Sequence, residues 1–288
     1  MMKPTQPIRV FSGKPKICSV KLTATRFYLP PEHCTGDVLR LEGREAHHAL
    51  HVLRVKRGEP VVVLDGIGHA FLCEIADASR EAMTLHVKRR DFLPPPSSRI
   101  TLLQAVPKGK IIESIIQKAV ELGVHRVVPV LTERVVTHLA ENERANKREK
   151  WQWVAIEAIK QCGATWLPTI EKPTTIEKFL NRRNAGPEAG APPSAIRLPP
   201  SLFDLSLVGS LQAGSRHPRE CFQEFQAGNG RLPQNVAVWI GPEGDFTPDE
   251  LKMIEASGAI PISLGRLVLR VETAAIYCLS MLNYELNQ

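Results

Sequence analysis

Apolar residues follow two rhythms along the second part of the chain. At 100–105, 126–131, 236–240 and 260–264 they run almost unbroken, which predicts strands buried on both faces. A further strand is expected at 205–211. Between these runs, apolar residues recur at helical spacing. They do so over 110–122, which Gly123 closes as a left-handed cap, and near 219–225. Trp151, Val154, Ala155, Ala158, Ile159 and Cys162 share one helical face, and Gly163 ends that helix. A last helix is expected from about 272 to 286. Thr174 and Glu177 read as a capping box before a short helix. Strand–helix alternation of this kind predicts an α/β domain built on a mainly parallel sheet.

Upstream the rhythm is shorter. Runs at 60–64, 70–75 and 83–88 are rich in Val, Leu and Ile and are separated by turn residues such as Asp65-Gly66. One helical patch, 44–53, sits before them. Three prolines and two serines at 94–98 punctuate the chain. The pattern divides it into a tail (1–25), a small β-rich domain (26–92) and an α/β domain (99–288). Within the last, 185–200 holds five prolines, four alanines and two glycines, and is expected to be an exposed loop.

Composition narrows the class without naming it. With 288 residues, 43% hydrophobic and 23% charged, the chain is an ordinary globular one, not a disordered or fibrous one. The net charge of +7 suits a polyanionic partner. However, the tail carries Lys3, Arg9, Lys14, Lys16 and Lys21 and no acid, so five of the seven units lie there. Residues 26–288 are nearly neutral, and any nucleic-acid contact in them must rest on local patches. The six cysteines form no C-x-x-C pair, which fits reduced thiols and a cytoplasmic location. No apolar run reaches the length of a membrane span.

Two turns stand out as chemistry. Gly241-Pro242-Glu243-Gly244 follows the apolar run 236–240 at once. Thr247, Pro248 and Glu250 then mark a helix start with an N-cap, a first-turn proline and a capping box. A glycine-flanked turn at the carboxyl end of a buried strand is where open α/β sheets take ligands. Downstream, Leu264-Gly265, Leu269-Arg270 and Glu272-Thr273-Ala274-Ala275 join a strand to the last helix. Arg270 and Glu272 within that apolar stretch need a partner, a ligand or solvent. Neither a G-x-G-x-x-G nor a P-loop is present.

These residues fall in an order that resembles a known family. Val106, Lys108 and Gly109 come first, then I-Q-K-A-V-E-L-G-V (116–124), T-E-R (132–134) and Q-C-G (161–163). H-P-R-E (217–220), I-G-P-E-G (240–244) and the Leu264 to Ala275 segment complete it. Arg26-Phe27-Tyr28, His48, Val52-Leu53-Arg54 and Asp65-Gly66 extend it to the amino-terminal part. The chain resembles the RsmE-type 16S rRNA uridine-N3 methyltransferases of the SPOUT superfamily over about 26–288. That resemblance implies a trefoil-knotted α/β methyltransferase domain, an exception to unknotted topology, preceded by a PUA-like RNA-binding domain. It implies S-adenosyl-L-methionine as cofactor, held around Leu211, Ile240, Gly241, Pro242, Glu243, Gly244, Leu264, Gly265, Leu269, Arg270 and Thr273. It also implies a homodimer with the knot near its interface, acting on 16S rRNA or the small ribosomal subunit and not on a membrane.

The implied chemistry sets roles for residues. N3 lies on the pairing edge of uracil, so the base must be unpaired or flipped out. As N3 loses its proton, negative charge spreads to O2 and O4, where a cation stabilises it. Arg270 is the candidate for that cation; Glu272 or Glu243 is the candidate to accept the proton or orient the base. Arg26, His48, Arg54, Lys108, Lys110, Arg134 and Arg219 are candidates for RNA contact. Blander readings stand beside these. Lys118 and Glu121 read as a surface pair, Trp153 as packed under a neighbouring element, and His47 and His51 as solvated rather than metal-binding. The chain departs from the family pattern at Ala164, Asp245 and Leu267. A left-handed Asp245 would preserve its turn. The departures leave two alternatives, another SPOUT activity such as ribose 2′-O-methylation, or an RNA-binding paralogue with impaired turnover.

Overall fold

The computed structural model describes residues 24–79, 82–134, 140–181, 203–212 and 214–286. Nearly all of the basic tail, and the loop expected at 185–200, lie outside them.

The amino-terminal unit is a five-stranded sheet. Its strands are β1 (Thr25–Tyr28), β2 (Val38–Glu42), β3 (Pro60–Leu64), β4 (His69–Ala78) and β5 (Ala82–Phe92), in the order β1-β3-β4-β5-β2. Alternate residues point inward, so Phe27, Leu39, Leu41, Val61, Val63, Phe71, Ile75 and Leu85 form one core. The helical patch expected at 44–53 is a short helix α1 (Gly43–His47) running into a π turn (His48–Val52).

The second unit is a seven-stranded sheet. It contains β6 (Arg99–Ala105), β7 (Arg126–Leu131), β8 (Thr169–Ile170), β9 (Thr174–Thr175), β10 (Leu205–Gly209), β11 (Asn235–Ile240) and β12 (Ala259–Ile262). The order is β12-β10-β11-β6-β7-β8, with β9 also on β7, and every neighbouring pair is parallel. Helices α2 (Ile111–Glu121), α3 (Glu141–Cys162), α5 (Pro218–Asn229) and α7 (Val271–Leu286) pack on one face. Helices α4 (Ile176–Asn181) and α6 (Pro248–Ala256) pack on the other. Both faces are covered, which is why the strands read as continuous apolar runs. Gly123 and Gly163 end their helices in left-handed conformation, as expected.

After β12 the chain turns back from the edge of the sheet. Residues 261–263 are clasped by the segment that follows β10: Ser210 N–H donates to Ile262 O, Arg216 N–H to Pro261 O, and Ser263 N–H to Arg216 O. The chain then crosses to α7, which lies over β6 and β11. This is the crossing that the knotted arrangement calls for.

Three local expectations need correction. The capping side chain before α4 is Thr175, whose Oγ1 accepts from Lys178 N–H at 3.3 Å; Thr174 is buried in the pairing of β9 with β7. Pairing keeps the backbone extended one residue further than local capping signals indicate. β10 stops at Gly209 and β12 at Ile262, short of the expected 211 and 264, because the chain leaves the sheet there to line a cavity.

The two units meet at the amino ends of β6 and β7. Gly68 N–H donates to Thr165 O, Leu167 N–H to Gly66 O, and Trp166 Nε1–H to Leu93 O. Gly66 has a φ of 76°, and a Cβ there would come within 2.9 Å of Leu167 Cβ, so only glycine fits. Trp153 packs under Arg44, with the guanidinium 4.8 Å from the ring centre, as the blander reading had it. The Lys118–Glu121 pair also forms, at 3.1 Å.

Candidate functional site

Three loops at the carboxyl ends of β10, β11 and β12 enclose a cavity of about 630 Å³. That volume lies within the range of small-molecule sites. β11 supplies Ile240 and the turn behind it. Asp245 has a φ of 60°, its N–H donates to Pro242 O at 2.9 Å, and its Oδ1 accepts from Phe246 N–H at 2.8 Å. A short polar side chain that bonds the adjacent backbone tolerates the left-handed conformation, so Asp245 leaves the turn intact.

The turn is held from outside by neighbouring strands. Thr247 Oγ1 accepts from Glu250 N–H, and Glu250 Oε2 accepts from Thr247 N–H, completing the expected capping box. Glu250 is only 3% exposed, and its other oxygen accepts Glu133 N–H at 2.9 Å. Arg134 Nη1 donates to Gly244 O and its side chain lies along Gly244. Lys108 N–H donates to Glu243 Oε1 at 3.2 Å. The segments that follow β6 and β7 therefore brace the turn after β11.

The other two walls were only partly foreseen. Leu211, Leu264, Gly265, Leu269, Arg270 and Glu272 line the cavity together with Ile240, Gly241, Pro242 and Glu243; Gly244 and Thr273 do not. Gly209, Ser210, Gln212 and Ser263 also line it and were missed. Their one signal is a change from apolar to small or polar residues at the end of each strand or just past it. Ser210 Oγ accepts from Gln212 N–H at 3.1 Å and Ser263 Oγ from Gly265 N–H at 3.3 Å, which shapes both loops.

The charges at the mouth are uncommitted. Arg270 is exposed and Glu272 half-buried, and among the described residues neither side chain has a hydrogen-bond or ion-pair partner. The two do not pair with each other at the start of α7. Arg266 lines the same cavity and is exposed, and Lys108 and Lys110, also exposed, stand just before its lining residue Ile111. By contrast, the burial of Cys34, Cys73 and Cys278 pushes each thiol up to about 12, so none of these offers a thiolate near neutral pH.

The remaining candidates for RNA contact lie elsewhere. Arg26 is committed to the junction, with Nη1 donating to Lys160 O at 3.3 Å and to Gln161 O at 3.1 Å. His48 sits in the π turn with its Nδ1 buried and unpartnered, and Arg54 is exposed just beyond, in left-handed conformation. Arg219 is exposed on α5 beside Glu285. Among the described residues, no group of three or more His, Cys, Asp or Glu side chains is placed to hold a metal.

Known proteins share this arrangement. Residues 94–283 match the model of the RNA methyltransferase domain, and 41–88 match that of the RNA methyltransferase PUA domain. Ribosomal RNA small subunit methyltransferase E of Synechocystis sp. is 31% identical over 270 residues, covering 93% of this chain and 80% of that protein. The protein of the same name from Bacillus subtilis is 26% identical, covering 85% and 89%. A methyltransferase structure from Legionella pneumophila with bound SAM superposes with a TM-score of 0.75 at 29% identity, covering 91% of this chain and 97% of that one.

Proposed function

The chain belongs to the RNA methyltransferase domain family, and from that premise we propose that it methylates N3 of a uridine in 16S ribosomal RNA. Its methyl donor is S-adenosylmethionine, as in the Legionella pneumophila structure solved with that molecule bound. The observation that carries the reading is the cavity itself. One wall is apolar (Ile240, Leu264, Leu269), two glycine-bearing loops offer backbone groups, and Arg270 and Glu272 stand at its edge without side-chain partners among the described residues. That donor set fits a nucleoside-type cofactor, whose flat base packs on apolar residues and whose hydroxyls and charged ends need polar ones.

When bound, S-adenosylmethionine supplies a methyl group on a cationic sulfur. The rest falls to the chain. The cavity walls align the acceptor with that methyl and exclude water. Arg270 donates to O2 or O4 of the uracil as N3 loses its proton. Glu272 takes the proton or holds the base; Glu243 is already engaged by Lys108 N–H and serves to brace the turn. Lys108 and Lys110 meet phosphates at the rim.

The working unit is a homodimer acting in the cytoplasm. Tyr277 and Tyr284, two turns apart on α7, are 49% and 67% exposed, and Leu211, Leu267 and Val268 are exposed at the cavity mouth. Among the described residues no helix is long and apolar enough to cross a membrane.

Mass spectrometry of rRNA from a strain lacking the gene tests the reading. Loss of 3-methyluridine from small-subunit rRNA is expected. An unchanged modification map refutes it, and loss of a ribose methyl group instead moves the activity to the 2′-oxygen.

A further inference from the structure

A row of rings and one cation crosses the β4–β5 ribbon toward the junction of the two units. Arg90 Cζ lies 5.9 Å from the Phe71 ring centre, Phe71 6.0 Å from His69, and His69 4.9 Å from Phe92. Phe92 then meets Trp166 edge-on at 6.3 Å. Phe71 is buried and forms the floor, but Phe92 is 56% exposed. Gly68 packs beneath the end of the row, where a Cβ would stand 2.7 Å from the Phe92 ring and 2.8 Å from the Trp166 ring.

The imidazole in this row is held in one orientation. Asp65 is 3% exposed, and its Oδ1 accepts N–H groups from Ile67 and His69 at 2.9 and 3.0 Å. Its Oδ2 lies 2.6 Å from His69 Nδ1. With Nδ1–H donating to a carboxylate, Nε2 is the ring nitrogen left for another partner, and an imidazole in its neutral form accepts there. The His69 side chain is 39% exposed. Arg90, at the far end, is 45% exposed and steadied by Asp37 at 2.8 Å.

We propose that this row is a stacking platform for unpaired bases of the RNA substrate. Phe92 and His69 offer ring faces, His69 Nε2 accepts from a base amino group or a ribose 2′-hydroxyl, and Arg90 supplies positive charge at the end of the row. Aromatic faces interleaved with a cation are the chemistry that binds single-stranded nucleic acid, because every base has a face to stack. Trp166, at the end of the row, stands at the amino ends of the parallel strands and the cavity at their carboxyl ends, and β6, of seven residues, spans about 20 Å between these two ends. The row therefore anchors RNA at a distance from the methylated base. The proposal rests on the RNA methyltransferase reading and extends it to a surface outside the cavity.

The test uses the full chain, fluorescein-labelled oligouridine and protein-free small-subunit rRNA. Phe92→Ala should weaken binding of both RNAs at least about fivefold, the lower end for one lost stacking contact. The loss should appear in the KM for RNA and not in the affinity for S-adenosylmethionine. Phe92→Tyr should restore binding, whereas Phe92→Leu, which keeps an apolar side chain without a ring, should not. His69→Phe should keep most oligouridine affinity. Equal RNA affinity in wild type and Phe92→Ala overturns the platform, as does full rescue by Phe92→Leu. A change in oligomeric state with RNA binding intact also overturns it and makes the surface a protein contact. If the wild type binds neither RNA, the platform falls, while the methyltransferase reading is decided separately by the loss of 3-methyluridine, so the two failures are distinct.

Discussion

The junction of the two units and the mouth of the cavity both hold charges, and they treat them in opposite ways. At the junction Lys160 is 6% exposed and meets Glu45 at 2.8 Å and Glu157 at 3.0 Å. Glu45, 7% exposed, also accepts Tyr28 N–H at 3.3 Å. Arg26 closes the carboxyl end of α3 by donating to two of its carbonyls. Every charge here is spent on protein partners. At the cavity mouth, Arg270, Glu272 and Lys110 have no such partner among the described residues. A buried charge left unpaired is costly, so pairing at the junction is what burial demands. Unpaired charge at an accessible rim costs little and stays available to a substrate. The contrast separates side chains that hold the two units together from those reserved for chemistry.

The largest effect is expected at the junction. Lys160→Met leaves the Glu45 carboxylate buried without its cation and should lower stability by about 3–5 kcal/mol, read from urea unfolding. The double variant with Glu45→Gln should recover much of that loss. A cost below about 1 kcal/mol, the scale of a surface pair, would place this charge pair outside the structural core.

Arg270→Ala should do the reverse. Methyl transfer should fall about 100- to 1,000-fold, the scale of a lost oxyanion donor. Stability should stay within about 0.5 kcal/mol of wild type. Full activity in this variant would remove Arg270 from the mechanism.

His125 sharpens the comparison through pH. Burial, reinforced by the positive charges of Arg99 and Arg126, pushes its pKa from 6.5 down to about 4. The unfolded chain therefore takes up the proton first. The stability linked to this residue is whole above about pH 6.5 and is lost as the pH falls toward about 4. The loss should reach about 2–3 kcal/mol in that window, and His125→Gln should flatten it. An unfolding midpoint with the same pH dependence in both proteins would contradict this.

The smallest effect concerns Arg134, expected from the family resemblance to meet RNA but found bracing the turn at Gly244. Arg134→Gln should weaken S-adenosylmethionine binding about fivefold, the scale of one hydrogen bond, by calorimetry. RNA affinity should stay within about twofold. The opposite pattern would return Arg134 to the RNA surface.

What could be read from the chain alone is whatever depends on near neighbours. The alternation of apolar runs gave the parallel sheet, and Gly123, Gly163, Thr247 and Glu250 marked helix ends through contacts within one turn. Arg270 and Glu272 were legible because charge in an apolar stretch demands an explanation. Residues far apart in sequence were decided by the fold. Nothing local says that β12 lies beside β10, or that the segment after β10 clasps residues 261–263. That clasp ended both strands early and turned Gly209, Ser210 and Ser263 into cavity walls. Arg26, 134 residues from Lys160, found its carbonyl partner only once the two units docked. Periodicity and capping act over a few residues, whereas a cavity and a buried ion pair exist only where distant segments meet.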